Sequence, residues 1–142
     1  MTSRHLEVIY CDDIREEVGN KFSYIGVYGA ELKVTGAPHT LSKLCVAVRL
    51  VTTAEDPVSS LEIQISRGAQ DEILASTGSV QISDVLATQP DDASVLLAHF
   101  AFVLSPFLID ESTMLNIKAI TEREELRGTP LKIRVLPNPA VQ

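Results

Sequence analysis

The sequence contains no tryptophan, and only four phenylalanines and three tyrosines are present among its 142 residues. Binding sites for single-stranded nucleic acid depend on aromatic stacking platforms along a basic groove. Here the aromatic residues are few, and the formal net charge of −7 repels phosphate groups. We therefore expect no nucleic-acid partner and, because anionic lipids repel such a chain equally, no membrane partner.

Cysteine is also scarce, since Cys11 and Cys45 are the only two. Two thiols are too few for a disulfide scaffold or a thiolate zinc site. No apolar run approaches the roughly 18 residues of a membrane helix, and the first residues lack the apolar segment of a signal peptide. These absences predict a cytoplasmic protein with two reduced thiols and no cofactor.

Alternation of apolar and polar residues is the strongest structural signal in the chain. Such alternation is typical of a strand with one face toward a core, and it recurs in segments 44–51, 61–66, 115–120 and 131–136. Turn-forming residues separate these segments at short intervals. We predict an all-β fold, an antiparallel two-sheet sandwich of immunoglobulin-like type with seven to nine strands. A small β-barrel is the alternative.

The length of the chain predicts one domain, because 142 residues is the size of an ordinary domain. We place this domain at residues 1–136 and an extended tail at residues 137–142. Its surest parts are two hairpins, at 61–77 and 114–136.

The first half of the chain gives less regular signals. We expect strands at Leu6–Cys11 and Lys21–Tyr28, with a bend at Gly26 or Gly29 because glycine in a strand often marks one. Residues 31–35 are expected to continue or pair with the second strand. Residues 40–44, and later residues 83–87, could each form a short helical turn.

The segment 95–104 is apolar on both of its alternating faces. A strand in a solvated sheet normally has one polar face, so something must cover the second face here. The cover is either a loop of the same chain, such as residues 78–92, or a second subunit, and the sequence leaves both alternatives open. Phe100 and Phe102 are therefore candidate contact residues for a partner, and His99 is expected to be a core histidine with a hydrogen-bond partner.

The densest polar cluster is Tyr10-Cys11-Asp12-Asp13-Ile14-Arg15-Glu16-Glu17. We expect it to follow the first strand and lead into the turn at Gly19. Its Asp side chains could accept backbone N–H bonds at a turn, or Asp12, Asp13, Arg15 and Glu16 could contact a protein partner. Carboxylates also suit divalent cations, although the spacing matches no EF-hand loop.

No catalytic constellation is visible in the sequence. Cys11 and His5 lie six residues apart, about 20 Å along a strand, so they cannot touch as a nucleophile and base. The carboxylate pairs at 91–92 and 110–111 are expected to be solvated loop charges. We predict no catalytic residues and no metal ligands.

The run C-D-D-I-R at residues 11–15, followed by G-N-K-x-S-x-I-G-x-Y at residues 19–28, resembles a family of small uncharacterised bacterial proteins. The resemblance covers about the first 30 residues. It implies a β-sandwich and a bacterial or prophage setting, and it implies no activity.

These observations favour a non-enzymatic module that binds another protein or itself. The candidate contact residues are Asp12, Asp13, Arg15, Glu16, Phe100 and Phe102. A domain that binds a small ligand or divalent metal through Asp12, Asp13, Asp91 or Asp110 is the alternative, and a hydrolytic enzyme is third.

Overall fold

The computed structural model describes residues 4–82 and 94–139. Within these ranges the chain forms thirteen β-strands, which confirms the predicted all-β class: β1 His5–Glu17, β2 Lys21–Val27, β3 Glu31–Thr35, β4 His39–Leu41, β5 Leu44–Thr53, β6 Ser60–Arg67, β7 Glu72–Ser76, β8 Val80–Gln81, β9 Val95–Leu104, β10 Phe107–Ile109, β11 Thr113–Thr121, β12 Glu125–Arg127 and β13 Leu131–Leu136. The count exceeds the expected seven to nine because β4, β8, β10 and β12 are only two or three residues long.

The first sheet has four antiparallel strands in the order β2-β1-β5-β9. The second has the order β3-β13-β11-β6-β7, with β8 also on β6 and β12 also on β11. All its pairs are antiparallel except β13 with β3, which is parallel. A separate ribbon joins β10 to β4.

The aliphatic core lies between the two sheets. From the first sheet, Leu44, Val46, Val48 and Leu50 alternate along β5 and are at most 1% exposed. Their counterparts on the second sheet are the alternate apolar residues of β6, β11 and β13, which the sequence pattern had indicated. The predicted sandwich is thus confirmed.

Several local predictions can be compared with these strands. Both hairpins are confirmed: β6 pairs with β7, and β11 pairs with β12 and β13. The helical turn expected at 40–44 is wrong, because His39–Leu41 forms β4, and the one at 83–87 lies outside the described residues. Residues 31–35 form a strand, but it pairs with β13 and not with β2. The division into residues 1–136 and a tail stays a prediction.

The first strand is much longer than expected. The sequence predicted Leu6–Cys11, whereas β1 continues through the acidic run to Glu17. Gly26, opposite Asp12 on β2, has a φ of +66°, a conformation that glycine adopts without steric cost. A Cβ at this position would collide with the Asp12 carboxylate. The bend predicted at Gly26 or Gly29 is therefore at Gly26.

Beyond this bend, residues 12–17 and 21–26 form a two-stranded arm that crosses the outer face of the first sheet, the face turned away from the core. The Cys45 thiol, on that face of β5, lies 3.7 Å from the Asp12 carbonyl oxygen of the arm. Phe22 of the arm stacks on His99 of β9 with ring centroids 4.0 Å apart. Ala47, between these two contacts on β5, is completely buried. The arm is thus part of what covers the second face of β9.

Arg4, just before β1, joins the ends of the two sheets. Its guanidinium is buried and bonds both carboxylate oxygens of Glu122, at 3.0 and 3.2 Å. It also donates to the Asp56 carboxylate at 3.2 Å and to the Pro57 carbonyl at 2.8 Å. Burial raises the pKa of Glu122, but bonds from the Ser59 N–H and from Arg4 outweigh it, so the net pKa is below its usual value.

We predict that Gly26→Ala lowers the free energy of unfolding by about 1–3 kcal/mol, because a methyl group there meets Asp12 and the positive φ is strained. Urea denaturation measures the difference. Gly29→Ala is the matched control, since nothing lies within 4 Å of its added Cβ, and its effect should stay within about 0.5 kcal/mol. Equal effects of the two substitutions would contradict the described bend.

We also predict that Arg4→Ala costs about 2–3 kcal/mol, because it removes the cation that bonds the partly buried Glu122 carboxylate, whereas Asp56 keeps its ion pair with Arg123. The control is Arg127→Ala, which breaks an ion pair with Glu125 on an exposed side chain and should cost less than about 1 kcal/mol. Thermal and urea melts of both variants provide the comparison. If Arg4→Ala lowers the free energy of unfolding no more than Arg127→Ala does, the contacts of Arg4 between the two sheets contribute little to stability.

Candidate interaction surface

Strand β9 forms one edge of the first sheet. In the described parts of the chain it pairs with β5 alone, in an unbroken ten-residue register from Leu44↔Leu104 to Thr53↔Val95. Its second edge therefore presents backbone N–H and C=O groups without a strand partner among those residues. The strand contains no formally charged side chain except the titratable His99.

Two apolar side chains on the outer face of β9 are strongly exposed. Val95 is 50% and Val103 is 59% exposed, and Ala101 between them is also exposed. Burial by the arm is confined to the middle of the strand, around His99. The question of what covers this face is answered in part: the β1–β2 arm covers the centre, and both ends are left open by the described residues.

Phe100 and Phe102 lie on the opposite face of β9 from these valines. Both are half-buried and pack against the core cluster. Their role in contacting a partner stays a prediction, and their side chains contribute mainly to the core. The sequence pattern could not separate the two faces of β9, because both are apolar.

The outer face also carries a polar row that crosses three strands: Glu7 on β1, Arg49 on β5 and His99 on β9, each opposite the next in the register. Arg49 Nε lies 3.5 Å from Glu7 Oε1. At the end of the row, His99 Nε2 is 2.7 Å from the Tyr24 hydroxyl of the arm. The expected hydrogen-bond partner of His99 is thus a tyrosine 75 residues earlier in the chain.

Burial lowers the pKa of His99, and the nearby Arg49 cation lowers it further. The ring is therefore neutral at pH 7, and its unprotonated Nε2 can accept the Tyr24 hydroxyl. Burial likewise raises the pKa of Tyr24, so both partners stay uncharged at neutral pH. This neutral pair and the Phe22 stack attach the arm to the edge strand.

A family model described as a family of unknown function, DUF6941, matches residues 7–134. The chain belongs to the DUF6941 family. No curated protein matches the chain. The matched range includes the arm, the polar row and β9.

The acidic run of this DUF6941 chain is in the arm and not in a turn. The Tyr28 hydroxyl donates to Asp12 Oδ1 at 2.8 Å, and burial, followed by this bond to Asp12, raises the pKa of Tyr28 to about 12. Lys43 donates to Asp13 Oδ1 at 2.7 Å, which lowers the pKa of Asp13. Both aspartates thus hold the base of the arm in place.

Arg15 and Glu16 lie farther along the arm, opposite Ser23 and Phe22, and both are exposed. Their role in contacting a protein partner stays a prediction. The structure thus separates the four candidates: Asp12 and Asp13 are engaged within the chain, and Arg15 and Glu16 face solvent.

The predicted alternative, a metal or small-ligand site, can be examined in the same way. Within residues 4–82 and 94–139, no group of three or more His, Cys, Asp or Glu side chains could hold a metal ion. Asp91 lies outside those ranges. Asp110 lines a groove of about 580 Å³ together with Arg67, Glu72 and Glu111. In the same described ranges, no helix has the length and hydropathy needed to cross a membrane.

We predict that attachment of the arm weakens as the pH falls from 7 toward 5. Because the folded-state pKa of His99 is below its usual 6.5, the unfolded chain binds the proton more readily. The stabilisation is thus complete above about pH 6.5 and is lost as the pH falls toward the lowered pKa. The melting temperature of the wild type should fall across this window, and that of His99→Gln should fall less.

His39→Gln is the matched control for this pH series, because His39 is in β4, which pairs with β10 and with neither strand of the arm. This variant should keep the pH dependence of the wild type. If His99→Gln and the wild type show the same slope between pH 7 and 5, the His99–Tyr24 pair makes no pH-dependent contribution.

Proposed function

We propose that this protein is a non-enzymatic interaction module that associates with a second copy of itself through the edge of β9 that no described strand pairs. The observation that carries the proposal is the ten-residue, uncharged edge with half-exposed Val95 and Val103 at its ends. Natural proteins usually protect long edge strands with charges, bulges or proline. An edge without such protection is suited to adding a strand from a partner.

The other edges of the described sheets have the protection that β9 lacks. At the opposite edge of the first sheet, β2 begins with Lys21 and is interrupted by the bend at Gly26. In the second sheet, β3 carries Glu31 and Lys33, and the pairing of β7 is broken by a register shift. The comparison favours β9 as the edge that pairs.

The pattern of side chains on β9 supports a second copy as the partner. In an antiparallel pair with a two-fold axis at His99, Val95 of each copy lies opposite Val103 of the other, and Leu97 lies opposite Ala101. The two half-exposed valines would thus cover one another. Such self-complementary contact is what a two-fold interface requires.

Charge opposes association at long range, because each copy has a net charge of −7. The strand itself adds no repulsion at neutral pH, since its only titratable residue, His99, is neutral there. Added salt screens the repulsion between the copies without weakening apolar and backbone contacts. The association should therefore tighten as ionic strength rises.

The cellular setting is also part of this proposal. The absence of a membrane-spanning helix in the described residues and the resemblance at residues 11–28 support a cytoplasmic protein of bacterial or prophage origin. Arg15 and Glu16, exposed on the arm beside Phe22, are then candidates for a second contact with a different protein.

The groove at Arg67 favours a second candidate function, the binding of a small ligand. Arg67 is held by both carboxylate oxygens of Glu72, at 3.1 and 3.2 Å, and its guanidinium lies 5.8 Å from the Phe107 ring centroid. The volume of about 580 Å³ is within the range of small-molecule sites. A thermal-shift screen of the wild type beside Arg67→Gln tests this candidate, since a genuine ligand should stabilise only the wild type.

We predict that light scattering finds a dimer whose dissociation constant rises about tenfold or more in Val103→Asp, because the substitution places two carboxylates in an apolar, self-paired edge. Val18→Asp is the matched control: it adds the same charge at the tip of the arm, where Val18 is 94% exposed. The control should dimerise as the wild type does.

Circular dichroism of both variants checks that the fold is retained. A wild type that stays monomeric at high concentration and high salt contradicts self-association, as does a dimer that Val103→Asp leaves intact. A dimer weakened equally by both valine variants would place the contact elsewhere.

A further inference from the structure

The two cysteines, 34 positions apart in the sequence, are direct neighbours in the first sheet. Cys11 of β1 lies opposite Cys45 of β5 in the antiparallel register, with both side chains on the outer face. Directly opposed residues in such a ladder have Cα atoms about 4.5 or 5.5 Å apart. Both spacings are within the range of about 4.4–6.8 Å found in disulfides.

The arm encloses this pair of thiols. Cys11 is completely buried and Cys45 is 1% exposed. The Cys11 thiol donates to the Asp13 carbonyl at 3.3 Å, and the Cys45 thiol lies 3.7 Å from the Asp12 carbonyl. Both carbonyls belong to the arm just beyond its bend, so the thiols lie between the sheet and the base of the arm.

We propose that Cys11 and Cys45 are a redox modification site that closes to an intramolecular disulfide, with glutathione disulfide as the oxidant. One cysteine thiolate attacks a sulfur of glutathione disulfide, forms a mixed disulfide and releases one glutathione thiolate. The second cysteine thiolate then attacks the protein sulfur of the mixed disulfide and releases the second glutathione. Two electrons pass to glutathione disulfide, and the two thiol protons end on the two glutathione molecules at neutral pH.

The location of this bond gives it a structural consequence. It would link β1 covalently to β5 at the residue before Asp12, where β1 leaves the plane of the sheet. In the reduced protein the two thiols contact the Asp13 and Asp12 carbonyls of the arm, whereas the disulfide has no S–H group to donate to them. The oxidation state of the site therefore changes the contacts at the base of the arm, and with them access to the outer face of β9.

Burial raises the pKa of both thiols, and only thiolates take part in exchange. Oxidation of the closed form is accordingly slow and requires the arm to open. Variants that weaken the arm at His99 should speed it. Slow oxidation of the buried thiols does not change the equilibrium constant for disulfide formation. We therefore measure that equilibrium after the thiols have been made accessible by unfolding.

The experiment uses the full chain, unfolded in denaturant and then refolded by dilution into glutathione buffers of graded oxidation state. After acid quenching, intact mass spectrometry measures the fraction that has lost two hydrogens, and a parallel series remains in denaturant. We expect the equilibrium constant for disulfide formation to be at least tenfold larger in the folded chain than in the unfolded chain. The reason is that a disulfide that stabilises the fold is itself stabilised by folding, and the two free energies are equal. Low protein concentration excludes bonds between copies.

Cys11→Ser and Cys45→Ser are the matched controls, and each can form only a mixed disulfide with glutathione. An equal or smaller preference for the disulfide in the folded chain overturns the proposal, because the native register would then not favour the bond. Mixed disulfides on both cysteines without loss of two hydrogens overturn it as well. A peptide map of the folded, oxidised wild type must show residues 11 and 45 linked.

Discussion

The bend where Asp12 lies against Gly26 is the constraint on which the functional features of this protein depend. Only a residue without a Cβ fits beside the Asp12 carboxylate, and the positive φ of Gly26 turns the hairpin back over its own sheet. Tyr28 and Lys43 hold the two aspartates at this point. Without the bend, the arm would extend into solvent, and the thiols, Ala47 and His99 would lose their cover.

The bend also explains why the outer face of the first sheet is neither fully polar nor fully exposed. The arm covers a strip that runs from Cys45 to His99 and leaves Val95 and Val103 open. A partly covered apolar edge is a compromise between burial, which stabilises the monomer, and exposure, which the proposed self-association requires. The same arm thus determines which part of β9 is available.

How much could be predicted from the sequence depended on whether a local pattern had one physical meaning. Alternation along β6, β11 and β13 has one meaning, so the all-β class and both hairpins were predictable. The acidic run at residues 12–17 has two possible meanings, because exposed charges suit a turn and the solvent-facing sides of a hairpin arm equally well. The sequence therefore predicted that the first strand ends at Cys11, and it did not predict the arm.

Long-range partners left no local signal at all. The contact of His99 with Tyr24 and that of Arg4 with Glu122 join residues far apart in the chain, and no spacing rule connects them. Gly26 was a usable signal, since glycine in a strand often marks a bend. Only the register of β9 with β5 shows on which face Phe100 and Phe102 lie, because β9 is apolar on both faces.

The parallel pairing of β3 with β13 has a consequence for synthesis. The two strands are about a hundred residues apart in the chain. In the second sheet β3 is the edge strand and β13 is its neighbour. During translation β3 emerges about a hundred residues before β13, its strand partner in the described part of the chain. Topologies dominated by such distant pairings fold slowly. While the residues between β3 and β13 are made, the nascent chain therefore has that sheet incomplete and its apolar inner face open to chaperones.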